Sequence, residues 1–195
     1  MKYRISKYNP KYRIDGKYVL DDWTSINDVG RFFDGKRLHG KTYLEMEKRY
    51  INCIMDLLKQ AKEKFLCITD YEDYSHSFPT LKNAFRMTLL LKSGVYFFQK
   101  VKWSNKQVLP IETVPLFLKD CLRDKCWGVL RGDFFQIDIG YDYYIHISTK
   151  SDIEMVRLTV SKYELFIETV KGDGSVDTNC GRLCHAQRYN CGIGE

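Results

Sequence analysis

Apolar and polar residues alternate along the segment from Phe134 to Ile147. Every odd-numbered position from Phe135 onward is apolar or aromatic, whereas the even-numbered positions from Gln136 to His146 are mostly polar. A period of two places successive side chains on opposite faces of a β-strand. This segment therefore predicts central antiparallel strands in a sheet that has one buried face.

A helical pattern begins at Thr42, where Thr42-Tyr43-Leu44-Glu45 matches a capping box. Apolar residues then recur at helical spacing and form a single stripe as far as Phe65. We predict an amphipathic helix that packs on the sheet and has a polar opposite face. That polar face consists of Glu47, Lys48, Asn52, Lys59 and Glu63.

Shorter patterns predict the remaining elements. A strand opens the chain, Asp15-Gly16 favours a tight hairpin turn, and Thr24 or Ser25 can cap a short helix. Residues 84–103 fit a hairpin, and residues 81–91 fit a helix almost as well. The other predicted elements are strands over 65–70, 127–130 and 165–170, a helix over 110–124, and a helix capped by Ser151 or Asp152.

Together these elements define an α+β fold, a mainly antiparallel sheet with two or three helices packed on one face. We expect one domain over residues 1–170, because a chain of 195 residues commonly forms a single domain. Gly, Asp, Asn and Ser predominate from Lys171 onward. Residues 171–195 are therefore predicted to form a C-terminal tail.

The sequence suggests a cytoplasmic protein that does not contact a membrane. It has no run of about 18 apolar residues, and no apolar segment follows the charged N-terminus as a signal peptide requires. The cysteines Cys53, Cys67, Cys121 and Cys126 lie inside apolar patterns. We expect these four residues to be reduced and to pack as small hydrophobic side chains.

Common cofactor and nucleophile motifs are absent from the sequence. It has neither a glycine-rich phosphate or dinucleotide loop, nor His-Glu-x-x-His, nor Gly-x-Ser-x-Gly. We therefore expect no cofactor and no enzymatic activity. Four residues of the tail offer zinc-ligating side chains, but their spacing matches no strong zinc pattern, so no metal site is predicted and their role stays open. These residues are Cys180, Cys184, His185 and Cys191.

Polar side chains of the central strands supply the first candidate site. A carboxylate and an imidazole on one face of a sheet can form a general acid–base pair, although a half-exposed sheet carries polar groups there in any case. Aromatic residues beside charges are also typical of binding hot spots. We predict a partner-binding set that also includes a loop residue, Trp23, which could instead anchor its loop in the core. The set is Asp138, Asp142, Tyr144, His146 and Trp23.

Basic residues supply the second candidate site. The first 17 residues contain six cations and one carboxylate, so most of the net charge of +6 lies there. Four of these cations directly precede a tyrosine, and cations with aromatic rings can bind phosphates and stack on bases. The alternative nucleic-acid-binding set is Lys2, Arg4, Lys7, Lys11, Arg13 and Lys17.

Two segments carry a resemblance to known proteins. One runs from Lys7-Tyr8-Asn9-Pro10 through Trp23-Thr24-Ser25, and the other is Gly140-Tyr141-Asp142-Tyr143-Tyr144. They resemble a group of small bacterial proteins that is similar to the immunity partners of polymorphic toxins. The resemblance implies a non-enzymatic protein binder and identifies no functional residues.

The leading hypothesis is therefore an immunity-protein-like inhibitor that binds and neutralises a toxin or another protein of bacterial or phage conflict. The alternatives are a nucleic-acid-binding protein that uses the basic N-terminus, and a small anionic ligand binder of the phage counter-defence type. Partner identity, bacterial or phage origin and oligomeric state stay open at this point.

Overall fold

The computed structural model describes residues 2–74, 101–140 and 142–170 of the chain. Within these residues, eleven strands and three α-helices form, and every strand pairing is antiparallel. The predicted α+β fold is therefore confirmed. The predictions for residues 81–91 and 84–100 and for the tail from Lys171 onward fall outside the described residues.

Seven strands form one sheet, and the other four form two separate hairpins. The strand order in the sheet is β11-β1-β10-β9-β8-β6-β7. The strands are β1 (Lys2–Ser6), β2 (Arg13–Ile14), β3 (Lys17–Tyr18), β4 (Phe32–Phe33), β5 (Lys36–Arg37), β6 (Phe65–Asp73), β7 (Val108–Pro110), β8 (Cys126–Arg131), β9 (Phe135–Ile139), β10 (Ile145–Thr149) and β11 (Phe166–Thr169).

The alternation from Phe134 onward has the predicted structural result. Ile137 of β9 lies opposite Ile147 of β10, and both are fully buried. Asp138 and His146 also lie opposite each other, but on the other, half-exposed face. The odd-numbered residues of these strands therefore face the core and the even-numbered residues form a polar face.

Three helices bury their apolar sides in the same core as the odd-numbered strand residues. They are α1 (Gly40–Gln60), α2 (Val114–Leu122) and α3 (Ile153–Lys162). Helix α1 contacts both α2 and α3. It is the longest helix of the described residues, and its side chains Tyr43 and Tyr50 are fully buried.

The predicted start of α1 is wrong by two residues. The helix begins at Gly40, and its N-cap His39 makes no side-chain capping bond. The preceding residue, Leu38, is buried and exchanges backbone hydrogen bonds with Gly30 and Arg31. Because these contacts fix the chain just before Gly40, the first helical bond forms from the Tyr43 N–H to the His39 carbonyl, upstream of Thr42.

Two carboxylates that were predicted on the polar face of α1 or its extension are buried instead. Glu47 accepts hydrogen bonds from Arg123 at 2.6 and 2.8 Å, and both side chains are buried. Glu63 follows the helix and accepts from the backbone N–H groups of residues 133–135 at 3.2, 2.6 and 2.9 Å. Each carboxylate is thus removed from water and accepts hydrogen bonds from donors in a distant part of the chain.

The local capping predictions agree with the structure elsewhere. Ser25 and Asp28 form a capping box around a short 3₁₀-helix, Ile26–Asp28. Asp152 caps α3 by accepting from the N–H of Glu154.

The four cysteines that were predicted to be buried thiols are buried and free. Among the described helices, none combines the length and the apolar character that crossing a membrane requires.

The buried pair between Glu47 and Arg123 leads to a first prediction. Glu47→Ala should lower the free energy of unfolding by roughly 3–5 kcal/mol, because the guanidinium stays buried without its carboxylate. The double variant Glu47→Met/Arg123→Met should lose much less, since no ionic group is then buried at this place. Urea unfolding of the three chains checks both values.

Glu154→Ala is the matched control, because it removes the glutamate of an exposed ion pair with Arg157. It should change stability far less than Glu47→Ala. Equal losses in the two single variants would contradict a structural role for the buried pair.

Candidate functional site

Charged side chains form a row across the polar face of the sheet. Arg4 of β1 lies between His146 of β10 and Glu168 of β11 in the strand register. Lys2 forms an ion pair with Asp138 at 3.5 Å. Burial lowers the pKa of His146, which favours its neutral form near neutral pH. The row is therefore largely compensated within the chain.

The first hairpin, β2–β3, is attached to this row by Arg13. Its guanidinium lies 2.9 Å from one oxygen of Glu168 and donates to the Tyr144 hydroxyl at 3.1 Å. The same carboxylate also forms an ion pair with Arg4 at 3.2 Å. The Tyr144 ring packs against the ring of Tyr8, with 5.3 Å between their centroids. These contacts hold one side of the hairpin on the sheet.

Lys7 is buried beneath the same layer, with 2% of its side chain exposed. Its Nζ lies 2.6 Å from the Asp22 carboxylate and 4.2 Å from the ring centroids of both Tyr8 and Trp23. Burial lowers the pKa of Lys7 to about 8, although Asp22 opposes the shift. The ammonium group is therefore part of the interior and holds the N-terminal segment to the loop that contains Trp23.

Trp23 lies in the core. Only 6% of the residue is exposed, and its ring contacts Tyr143 edge-on, with 4.9 Å between the centroids. Its carbonyl accepts a hydrogen bond from the Tyr8 hydroxyl at 2.9 Å. Of the two roles considered from the sequence, these contacts correspond to the core anchor.

The hydroxyl of Tyr50 joins three parts of the chain inside the core. It accepts from the backbone N–H of Lys7 at 2.5 Å and donates to the carbonyl of Tyr143 at 2.9 Å. Tyr143 precedes β10 and has a φ of 62°, a value that a bulky residue rarely adopts. Helix α1 thus fixes both the start of the chain and the turn between β9 and β10.

The predicted partner-binding residues do not form one surface. Asp138, Tyr144 and His146 share the polar face, where Tyr144 and Asp138 are already engaged with cations of β1 and β2. Asp142 is exposed in the turn before β10. Trp23 lies in the core, so its ring has almost no exposed area to offer a partner.

Most of the predicted nucleic-acid-binding cations are engaged within the chain. Lys2 pairs with Asp138, Arg4 and Arg13 pair with Glu168, and Lys7 pairs with Asp22. Only Lys11 and Lys17 of the predicted set are exposed and make no ion pair with the described residues. The basic stretch of sequence is therefore not a continuous basic surface.

The second hairpin, β4–β5, repeats the turn of the first. Ile14-Asp15-Gly16-Lys17 and Phe33-Asp34-Gly35-Lys36 share the order apolar–Asp–Gly–Lys. In both turns the Asp and the Gly have positive φ values, 49° and 77° in the first and 46° and 71° in the second. Asp-Gly is the signal for such two-residue turns, so the second hairpin could have been predicted from the sequence as the first was.

Exposed hydrophobic side chains are concentrated around these two hairpins. In the described residues, eight large hydrophobic side chains are exposed, and five of them lie between Tyr12 and Phe32. The first hairpin points Arg13 and Tyr18 toward the sheet, because directly opposite residues share one side of a two-stranded ribbon. The opposite, outward side carries Ile14 and Lys17. The five exposed side chains are Tyr12, Ile14, Val19, Leu20 and Phe32.

No group of three or more His, Cys, Asp or Glu residues within the described part of the chain is arranged to hold a metal ion. The four tail residues that were considered for zinc lie outside that part. Comparisons of the chain with protein-family models, with curated proteins and with solved structures find no match. The candidate site is therefore identified from the geometry of this chain alone, and it consists of the outward sides of the two hairpins.

The Tyr50 hydroxyl supplies the second prediction. Tyr50→Phe should lower the free energy of unfolding by about 1–3 kcal/mol, because a buried N–H and a carbonyl lose their partner. Amide exchange should accelerate at Lys7 more than at β9, since the N-terminal segment loses its contact with α1. Urea unfolding and hydrogen exchange measure the two effects.

Tyr163→Phe is the control for removal of a hydroxyl, since Tyr163 donates to Asp56 near the surface. It should leave exchange at Lys7 unchanged. A uniform change of exchange across the sheet in Tyr50→Phe would contradict the local role of the hydroxyl.

Asp124 connects the loop before the second hairpin to the turn after α2. Its carboxylate accepts from the Asn27 side chain at 2.9 Å. Burial raises the pKa of Asp124 from 3.8 to about 6, although hydrogen bonds from Ser25 and Asn27 oppose the shift. The unfolded chain ionises this group at lower pH than the folded chain does, so its contribution to stability falls as pH rises through this interval.

The third prediction follows from this pKa. Asp124→Asn should gain stability relative to the wild type by roughly 2 kcal/mol as pH rises from about 4 to about 6, because only the wild type ionises a buried carboxylate there. Asn also tolerates the positive φ of this position. Chemical unfolding across this pH range, with the exposed Asp21→Asn as control, measures the difference. A stability difference between Asp124→Asn and the wild type that is independent of pH would contradict the prediction.

Proposed function

We propose that this protein is a non-enzymatic protein-binding inhibitor of the immunity type, which neutralises a toxin or another protein of bacterial or phage conflict. The observation that supports binding is that five of the eight exposed large hydrophobic side chains of the described residues lie within or next to the two hairpins, between Tyr12 and Phe32. Scattered single hydrophobic residues are normal on a protein surface, but clustered ones are typical of interaction sites.

The contacts that hold the first hairpin on the sheet also favour binding through this hairpin. Arg13 and Tyr18 on its inner side contact Glu168, Tyr144 and Tyr8. A surface that is held in its bound conformation loses little conformational entropy when a partner binds. The first hairpin therefore combines exposed apolar area with a fixed backbone.

The nucleic-acid alternative has less support from the same contacts. Phosphate binding needs cations that are free to approach the backbone of the nucleic acid. Four of the six cations in the predicted set form ion pairs within the chain. The small-ligand alternative has no specific observation in its favour.

Affinity capture of the tagged full-length chain from its host cells, in the presence of nuclease, tests the proposal. The wild type should retain one dominant protein at near-equal stoichiometry. Ile14→Glu/Val19→Glu should reduce its affinity at least about tenfold, which corresponds to the loss of one modest hot spot. Leu158→Glu is the matched control, because Leu158 is 70% exposed on α3.

The captured protein must then be shown to be harmful when produced alone and harmless when produced with this chain. Material that is lost on nuclease treatment would overturn the proposal in favour of nucleic acid. A captured protein whose activity is unaffected by this chain would overturn the inhibitor role.

A further inference from the structure

The two hairpins present the same chemistry on their exposed sides. Ile14 is 64% exposed and lies opposite Lys17 in the first hairpin. Phe32 is 67% exposed and lies opposite Arg37 in the second. Directly opposite residues lie side by side on one side of a ribbon. Each hairpin therefore offers one large apolar side chain next to one cation.

Both hairpins are also held from the interior side. Arg13 attaches the first hairpin to the polar face of the sheet. In the second, Phe33 packs against the hydrophobic core, and Leu38 directly after β5 is buried. The side chains of Ile14 and Phe32 therefore project from supported turns rather than from free loops.

The charge of these hairpins indicates the chemistry of a partner. Within the described residues, five exposed cations in and beside the two hairpins make no ion pair, and they outnumber the exposed aspartates of the same region, which are Asp15, Asp21 and Asp34. Arg31 is compensated by Asp28 and does not contribute to this excess. The uncompensated cations are Lys11, Lys17, Lys36, Arg37 and Lys41.

We propose that the two hairpins bind the same protein partner, with Ile14 and Phe32 as apolar anchors, and that the partner contributes an acidic surface. The inference rests on the proposed function and adds to it the second hairpin and the charge of the partner. Apolar anchors supply most of the affinity in such interfaces, whereas the surrounding cations accelerate association and select for opposite charge.

Photo-crosslinking in host cells tests whether both hairpins touch one partner. The full-length chain carries benzoylphenylalanine at position 14, at position 32, or at position 158 as the exposed control on α3. The same protein should be cross-linked from positions 14 and 32 and not from position 158. Mass spectrometry identifies that protein and the peptide to which each position is joined.

The purified cross-linked protein then tests the charge. Lys17→Glu/Arg37→Glu, which changes the cations opposite the two anchors, should weaken its binding by about tenfold or more, mostly through slower association, and the wild-type affinity should fall as salt is added. Lys150→Glu/Arg157→Glu changes the net charge equally at exposed positions outside the hairpins and should change the affinity by less than about twofold.

Each other outcome has a distinct meaning. A protein that is cross-linked from position 14 but not from position 32 would overturn the two-hairpin inference and leave the proposed function standing. Nucleic acid at position 32, or affinity that is independent of salt and of Lys17 and Arg37, would overturn the acidic protein partner. A protein that is cross-linked only from position 158 would overturn the hairpin surface, and no cross-linked protein from any position would overturn the proposed function as well.

Discussion

The buried hydroxyl of Tyr50 is the contact on which the N-terminal half of the architecture depends. It accepts a hydrogen bond from the backbone N–H of Lys7, which is partly buried, and donates one to the buried carbonyl of Tyr143. Because a buried backbone group that loses its partner is unfavourable, the two hydrogen bonds hold the N-terminal segment in place against α1. The ammonium of Lys7, fixed in the same place, then positions Asp22 and the loop that contains Trp23.

This arrangement divides the side chains of the first 40 positions into an inner and an outer set. The inner set, including Arg13 and Asp28, pairs with groups of the sheet or of neighbouring turns. The outer set consists of exposed apolar side chains and of cations that form no ion pair within the described structure. Burial of Ile14 or Phe32 against the core would contribute to stability, and neither side chain makes that contribution in the folded chain, since 64% and 67% of these residues are exposed.

The sequence allowed prediction of those features that depend on neighbouring residues. The alternation around Ile137, the capping by Ser25 and Asp152, and the Asp15-Gly16 turn all follow from local spacing, and all are present in the structure. The burial of Glu47 was not predictable in this way, because its partner Arg123 is 76 positions away and no periodicity connects the two. Helical periodicity assigns polar side chains to the exposed face of a helix, and a buried ion pair is an exception to that rule.

The candidate site could be predicted from the sequence only in part, for two physical reasons. For Trp23 the sequence left two roles open, a binding surface and an anchor in the core, and the structure has its ring packed against Tyr143 in the core, where a large aromatic side chain gains more. The basic N-terminus was predicted as an alternative nucleic-acid-binding site because its cations were counted along the chain. Glu168, which compensates two of its cations, enters only through the pairing of β11 with β1. Strand order, rather than local composition, therefore determines which cations are compensated within the chain. The uncompensated cations lie in and beside the two hairpins rather than on the first strand.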